Sequence, residues 1–199
     1  MTALSSRAAP GAFTALGLAF AAAVALTAPL PAQAQKLVPA QSEIGFVTRQ
    51  MGVPVDGRFR KFDAQIAFDP KKPEAAKIAF TIDLGSAAIG TAETEAELAK
   101  PDWFNLKAFP QAGFQSTAVK ALGGGRYEVA GTLTIKGAKQ DVVVPVTLAP
   151  AGSNATATGS FTLKRLDFRI GEGDWKDTSL VANEVQVRFK LALSGLPPQ

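Results

Sequence analysis

The chain has 199 residues, 47% of them hydrophobic, with 21 Lys and Arg against 17 Asp and Glu, and it contains no histidine and no cysteine. Those two absences exclude disulfides, the common zinc and haem ligand sets, Ser-His-Asp and Cys-His nucleophiles and imidazole acid/base chemistry. The net charge of +4 is spread without basic runs longer than Lys71-Lys72, which predicts no nucleic-acid partner.

Residues 1–34 have the three-part build of a secretory signal. Arg7 supplies the positive start, residues 12–28 form an uncharged Ala, Leu, Phe and Val run, and Ala32-Gln33-Ala34 is a small-x-small cleavage site. Cleavage before Gln35 is expected, with export to the periplasm. No cysteine follows for lipid attachment, and the single arginine excludes a twin-arginine signal. The remaining chain, residues 35–199, is long enough for one domain with a real core.

From there the hydrophobic pattern alternates with a period of two. Weak alternation over residues 42–50 carries Ile44 and Phe46, and over 57–68 it carries Phe59, Phe62, Ala64, Ile66 and Phe68. Phe59 and Phe62 are three apart, so a bend or bulge is predicted near Lys61. Residues 77–84 (Ile78, Phe80, Ile82, Leu84) and 113–119 form the third and fourth strands. Clear alternation follows over 126–136, where Tyr127, Val129, Gly131, Leu133 and Ile135 share one face. It recurs over 141–148, over 155–164 with Phe161 and Leu163 inward, and over 184–193. Turn sequences such as Gly123-Gly124-Gly125 and Lys136-Gly137-Ala138 separate several of these strands.

Eight strands, each apolar on one face, predict an all-β fold: an eight-stranded antiparallel barrel or a sandwich, with the barrel preferred because it removes both edges. An outer-membrane barrel is the rival reading, and outward faces of Thr, Lys, Arg, Glu and Gln and the lack of aromatic girdles favour the soluble barrel over it. Two connections are long, residues 85–112 and 166–183, and each carries one of the two tryptophans, Trp103 and Trp175. Such loops are lids, binding elements or plugs. In the first, residues 91–100 suit a short helix between strands three and four, with Thr94-x-x-Glu97 as its start signal and Pro101 as its stop.

No metal or catalytic cluster emerges. Glu93 and Glu97 share a helix face as a solvated acidic stretch, and Glu172, Asp174 and Asp177 lack the spacing of a calcium loop. Eleven of the thirteen phenylalanines lie beyond residue 34 against a single tyrosine. Phenylalanine lines an apolar cavity without needing a polar partner. Small residues on inward faces, namely Ala64, Gly131, Ala155, Ala157 and Gly159, are read as leaving room inside.

The order and spacing of several short motifs resemble the YceI-like family of periplasmic lipid- or polyisoprenoid-binding proteins. These are Ser42-x-Ile44-x-Phe46 leading to Met51-Gly52, Gly57-x-Phe59-x-x-Phe62-Asp63, Ile66-x-Phe68-Asp69-Pro70 and Asp102-Trp103-Phe104-Asn105. Ile78-x-Phe80-x-Ile82, Phe109-Pro110-x-Ala112-x-Phe114-x-Ser116, Gly131-x-Leu133-Thr134-Ile135-x-Gly137 and Asp167-Phe168-x-Ile170-Gly171 complete the set. Many members carry His-Leu where this chain has Gln50-Met51. The resemblance implies a lipocalin-like barrel whose tunnel holds a long isoprenoid, a polyprenyl phosphate or an isoprenoid quinone, with no cofactor and no chemistry of its own.

The same resemblance puts Phe46, Phe59, Phe80, Phe114 and Phe161 on the tunnel wall and Trp103, Phe104, Phe109, Phe168 and Trp175 around its mouth. Arg49, Arg58 and Arg165 are the polar candidates for the head group. It implies transient membrane contact for lipid exchange and leaves a homodimer open. Burying about forty carbons at ~0.8 kcal/mol each gives roughly 30 kcal/mol against water, above the ~18–21 kcal/mol ceiling of non-covalent affinity. A membrane is the proper reference, and there the tail is already dry, which suits an exchanging carrier. The rival readings are an enzyme acting on a lipid head through Asp102 or Asp167, and an accessory protein of a membrane quinone partner.

Overall fold

The structure, a computed structural model, describes residues 34–197. The expected signal segment lies outside the described residues except for Ala34.

The strands are β1 (Ala34–Leu37), β2 (Glu43–Gln50), β3 (Val53–Phe59), β4 (Phe62–Ala67), β5 (Lys77–Asp83) and β6 (Ala87–Ala88). After the helix α1 (Ala92–Leu98) come β7 (Gln111–Gly123), β8 (Arg126–Ile135), β9 (Ala138–Ala151), β10 (Asn154–Lys164) and β11 (Glu184–Ser194). Eight of them close a ring in the order β1, β4, β5, β7, β8, β9, β10, β11 and back to β1, all antiparallel. The remaining strands, β2, β3 and β6, extend from β11.

The branching follows from two interrupted strands. β1 and β2 pair with successive parts of β11, at Leu37↔Leu193 and Phe46↔Val187, and the 3-10 turn Pro39–Gln41 separates them. β3 and β4 are likewise separated at Arg60-Lys61, where the bend was expected. Ser86 stitches that break: its backbone carbonyl accepts from the Arg60 N–H, and its hydroxyl oxygen accepts from the Lys61 N–H at 3.0 Å. The eight expected strands therefore become eleven. β1 was missed because its inward residue is polar. Gln35 is buried, its Oε1 accepts from the Phe68 N–H, and its amide donates to the Gly195 carbonyl.

Helix α1 begins one turn earlier than the Thr94 signal suggests. Thr91 is the N-cap, and its hydroxyl oxygen accepts from the Thr94 N–H.

Inside, apolar residues form two clusters, one centred on Ile44, Ile66, Val129, Leu148 and Leu191, the other on Leu84, Phe104, Ile135, Leu163 and Phe168. Three glycines make room for rings. A Cβ on Gly57 would lie 2.2 Å from the Phe46 ring, one on Gly131 would lie 2.4 Å from Phe114, and one on Gly159 would lie 2.5 Å from Phe189. The space at Gly131 and Gly159, read in the sequence as cavity, is thus filled by neighbouring aromatic rings, a pairing that lets phenylalanine cover a strand's bare backbone.

Candidate functional site

Two chambers occupy the barrel interior and share the wall residues Ile44, Ile82, Leu133, Phe161 and Val187. The lower one, of about 150 Å³, is lined by aliphatic side chains together with Phe80, Phe114 and Phe189. Phe68 and Tyr127 meet edge-on in its lining at 5.2 Å, beside Leu196. The upper chamber is larger, about 480 Å³, and carries polar groups as well: Thr48, Gln50, Glu93, Thr94, Glu97 and Arg165.

Alternation explains the wall. In β2, Ile44, Phe46, Thr48 and Gln50 fall on one face and all line the upper chamber. α1 contributes Glu93, Thr94, Glu97 and Leu98, while Glu95 turns away to pair with Arg60 at 3.4 Å. The Glu93 carboxyl is held below the usual carboxylate range, first by its hydrogen bond with the Thr91 side chain and then by its own backbone N–H.

The two long connections meet over this chamber. The Asp102 carbonyl accepts from the backbone N–H groups of Gly171 and Glu172 at 2.8 and 2.9 Å. Trp103 and Trp175 face each other with ring centroids 5.3 Å apart, and both line the chamber. A single side chain organises the second connection. Arg165 is 2% exposed, and its guanidinium donates to the carbonyls of Ala182, Ile170, Gly171, Trp175 and Val181. All five of its N–H groups are thereby engaged. Burial alone lowers its pKa, yet guanidinium stays charged throughout the ordinary pH range.

Of the thirteen residues singled out in the sequence, nine line the chambers. Phe80 and Phe114 are in the lower one, Phe161 is shared, and Phe46, Phe59, Trp103, Phe104, Arg165 and Trp175 are in the upper one. Four are elsewhere. Phe109 packs against Gly137, and Phe168 is 1% exposed in the core around Leu84 and Phe104. Arg49 is exposed and donates to the Gly52 carbonyl. Arg58 lies on the outer face in a groove with Glu43, Asp56 and Arg188. Asp102 and Asp167 are exposed and line neither chamber.

The polar residues Thr48, Gln50, Glu93 and Glu97 were not singled out as site residues. Their signal was present as polar residues continuing an apolar face in 42–50, and as the shared helix face of Glu93 and Glu97. Two atoms of this chamber stand apart: Thr48 Oγ1 and Trp103 Nε1 are buried with no hydrogen-bond partner among the described residues.

The YceI-like domain model matches residues 35–193. A UPF0312 protein of Pseudomonas aeruginosa is 37% identical over 120 residues, 57% of this chain and 62% of that protein, so the chain aligns with under two thirds of its length. The crystal structure of BcnA from Burkholderia cenocepacia is 44% identical, with a TM-score of 0.76 covering 78% of this chain and 98% of that one. A domain from Saccharophagus degradans, described as polyisoprenoid binding and implicated in plant cell wall breakdown, has the same fold at 17% identity. Its TM-score is 0.67, over 81% of this chain and 98% of that one.

Proposed function

The chain belongs to the family of YceI-like domains, and from that premise we propose that it is a periplasmic binding protein that holds a long isoprenoid lipid in its barrel and exchanges it with membranes. The observation that carries this reading is the pair of chambers sharing five wall residues, which runs from an aliphatic interior to a polar rim. A lipid lies with its tail in the lower chamber and its head among Thr48, Gln50, Glu93, Trp103 and Trp175. The Saccharophagus domain described as polyisoprenoid binding supports the ligand class. Residues 1–34, with the build of an export signal, support the periplasm.

An exposed apolar tip supports the membrane-contact part of this reading. Met51 N–H donates to the Leu180 carbonyl at 2.8 Å, and Met51, Val53 and Leu180 are 71%, 62% and 41% exposed. Their neighbours Gln50 and Val181 are bridged and both line the upper chamber. An apolar tip therefore adjoins the chamber rim. Exposed apolar groups of this kind mark interaction sites.

The test is transfer of a labelled polyprenyl lipid between two populations of phosphatidylethanolamine and phosphatidylglycerol vesicles. The protein is expected to accelerate transfer, and Met51→Asp with Leu180→Asp to slow it severalfold while the barrel still melts normally. No acceleration by the wild-type protein removes the carrier reading.

A further inference from the structure

We propose that Trp103 Nε1 and Thr48 Oγ1 form a head-group site selective for a lipid whose head is neutral and accepts hydrogen bonds, such as a carbonyl or ester, over one bearing a phosphate. This rests on the lipid-binding reading above and narrows it.

The starting point is the two unpartnered atoms. Buried polar atoms in folded proteins nearly always have a partner, and an exception calls for an explanation. Here two exceptions line one chamber, on separate elements: Thr48 on β2 and Trp103 in the turn after α1. The indole N–H is a donor only, and the threonine hydroxyl donates or accepts. Both together suit an acceptor that enters the chamber with a lipid.

The charges around them oppose an anion. Phosphate is held by cations and backbone N–H groups free to donate. Among the described residues the one cation in the lining is Arg165, whose five N–H groups already point at carbonyl oxygens. The other charged groups there are the carboxylates Glu93 and Glu97. Arg49 and Arg58 lie outside the lining. A phosphate would meet two like charges and only uncharged donors, namely the indole, the Thr48 and Thr94 hydroxyls and the Gln50 amide.

The test compares three radiolabelled lipids with one 20-carbon isoprenoid tail: the acetate ester, the monophosphate and the headless hydrocarbon. Equilibrium binding is measured on delipidated protein comprising residues 35–199. In the wild type the ester is expected to bind about tenfold more tightly than the hydrocarbon, the scale of one or two buried hydrogen bonds, and the phosphate no better than the hydrocarbon. Trp103→Phe and Thr48→Val should each reduce the ester's advantage over the hydrocarbon about fivefold.

Phosphate binding tightest overturns the proposal. So does equal binding of all three, which leaves the lipid-binding reading intact. Retained ester preference in both variants also overturns it, since the two atoms are then tolerated orphans. If none of the three binds, the lipid-binding reading itself falls, and this proposal with it.

Discussion

Lys136 Nζ donates to Glu172 Oε2 at 2.8 Å, joining the tip of the β8–β9 hairpin to the segment that carries Trp175. Lys136 is 4% exposed and also donates to the Arg169 carbonyl at 2.6 Å, while Arg169 Nη2 returns a bond to the Lys136 carbonyl. The hairpin and the segment over the chamber are thus tied by three bonds within a few residues.

This tie has an acid-sensitive half. The hydrogen bond from Lys136 is the largest cause holding the Glu172 carboxyl below its ordinary value of 4.5. A carboxyl whose pKa is lower folded than unfolded stabilises the fold fully above the unfolded value, and that contribution is lost as pH falls through the folded one. Because Glu172 is partly exposed, the pair is worth only about 0.5 kcal/mol. Tryptophan emission should therefore be flat from pH 8 to pH 5 and change below about pH 4.5. Glu172→Gln should show the acid signal already at pH 7. An unchanged acid transition in that variant contradicts the assignment.

Arg165 carries a larger structural role. Replacing it by methionine leaves five buried carbonyls without their donor, and removing one partner of a buried charged network costs about 3–5 kcal/mol. Arg165→Met should lower Tm by roughly 10 °C. Arg165→Lys should recover little, since an ammonium has three donors and no planar fork. A loss below about 1 kcal/mol in calorimetry would show that the segment is held by other contacts.

The glycine and ring pairs predict a contrast between two sites. At Gly57 the obstruction to a Cβ is the Phe46 ring alone, whereas at Gly131 the Gln115 backbone carbonyl also lies 2.4 Å away. Gly57→Ala should destabilise by about 1–3 kcal/mol, and Phe46→Leu in the same chain should restore much of the loss. Gly131→Ala should resist rescue by Phe114→Leu. Urea denaturation of the four variants distinguishes the two cases, and equal rescue at both sites contradicts the packing described.

Trp103 lines the upper chamber and faces Trp175, and the proposal that it gates the chamber is testable. Trp103→Ala should raise the rate of lipid exchange with vesicles more than it lowers Tm. The reverse, a large loss of stability with unchanged exchange, makes it a plug.

Much of this was legible in the sequence because phenylalanine and aliphatic residues alternate cleanly along strands such as 126–136 and 184–193, and the faces they define became the chamber walls. The bend near Lys61 followed from Phe59 and Phe62 falling out of phase. What escaped was set by partners distant in the chain. β1 turns a polar Gln35 inward and is satisfied only by Phe68 and Gly195, and β6 has two residues. Gly131 reads as empty space until the Phe114 ring is placed over it. Arg165 reads as a head-group ligand until its five carbonyl partners are seen, four of them between residues 170 and 181.

The most direct test of the central claim is mass spectrometry of an organic extract from the protein purified out of its native periplasm. The account predicts an isoprenoid lipid at close to one molecule per chain. Repeated recovery of folded protein without any such lipid would contradict it.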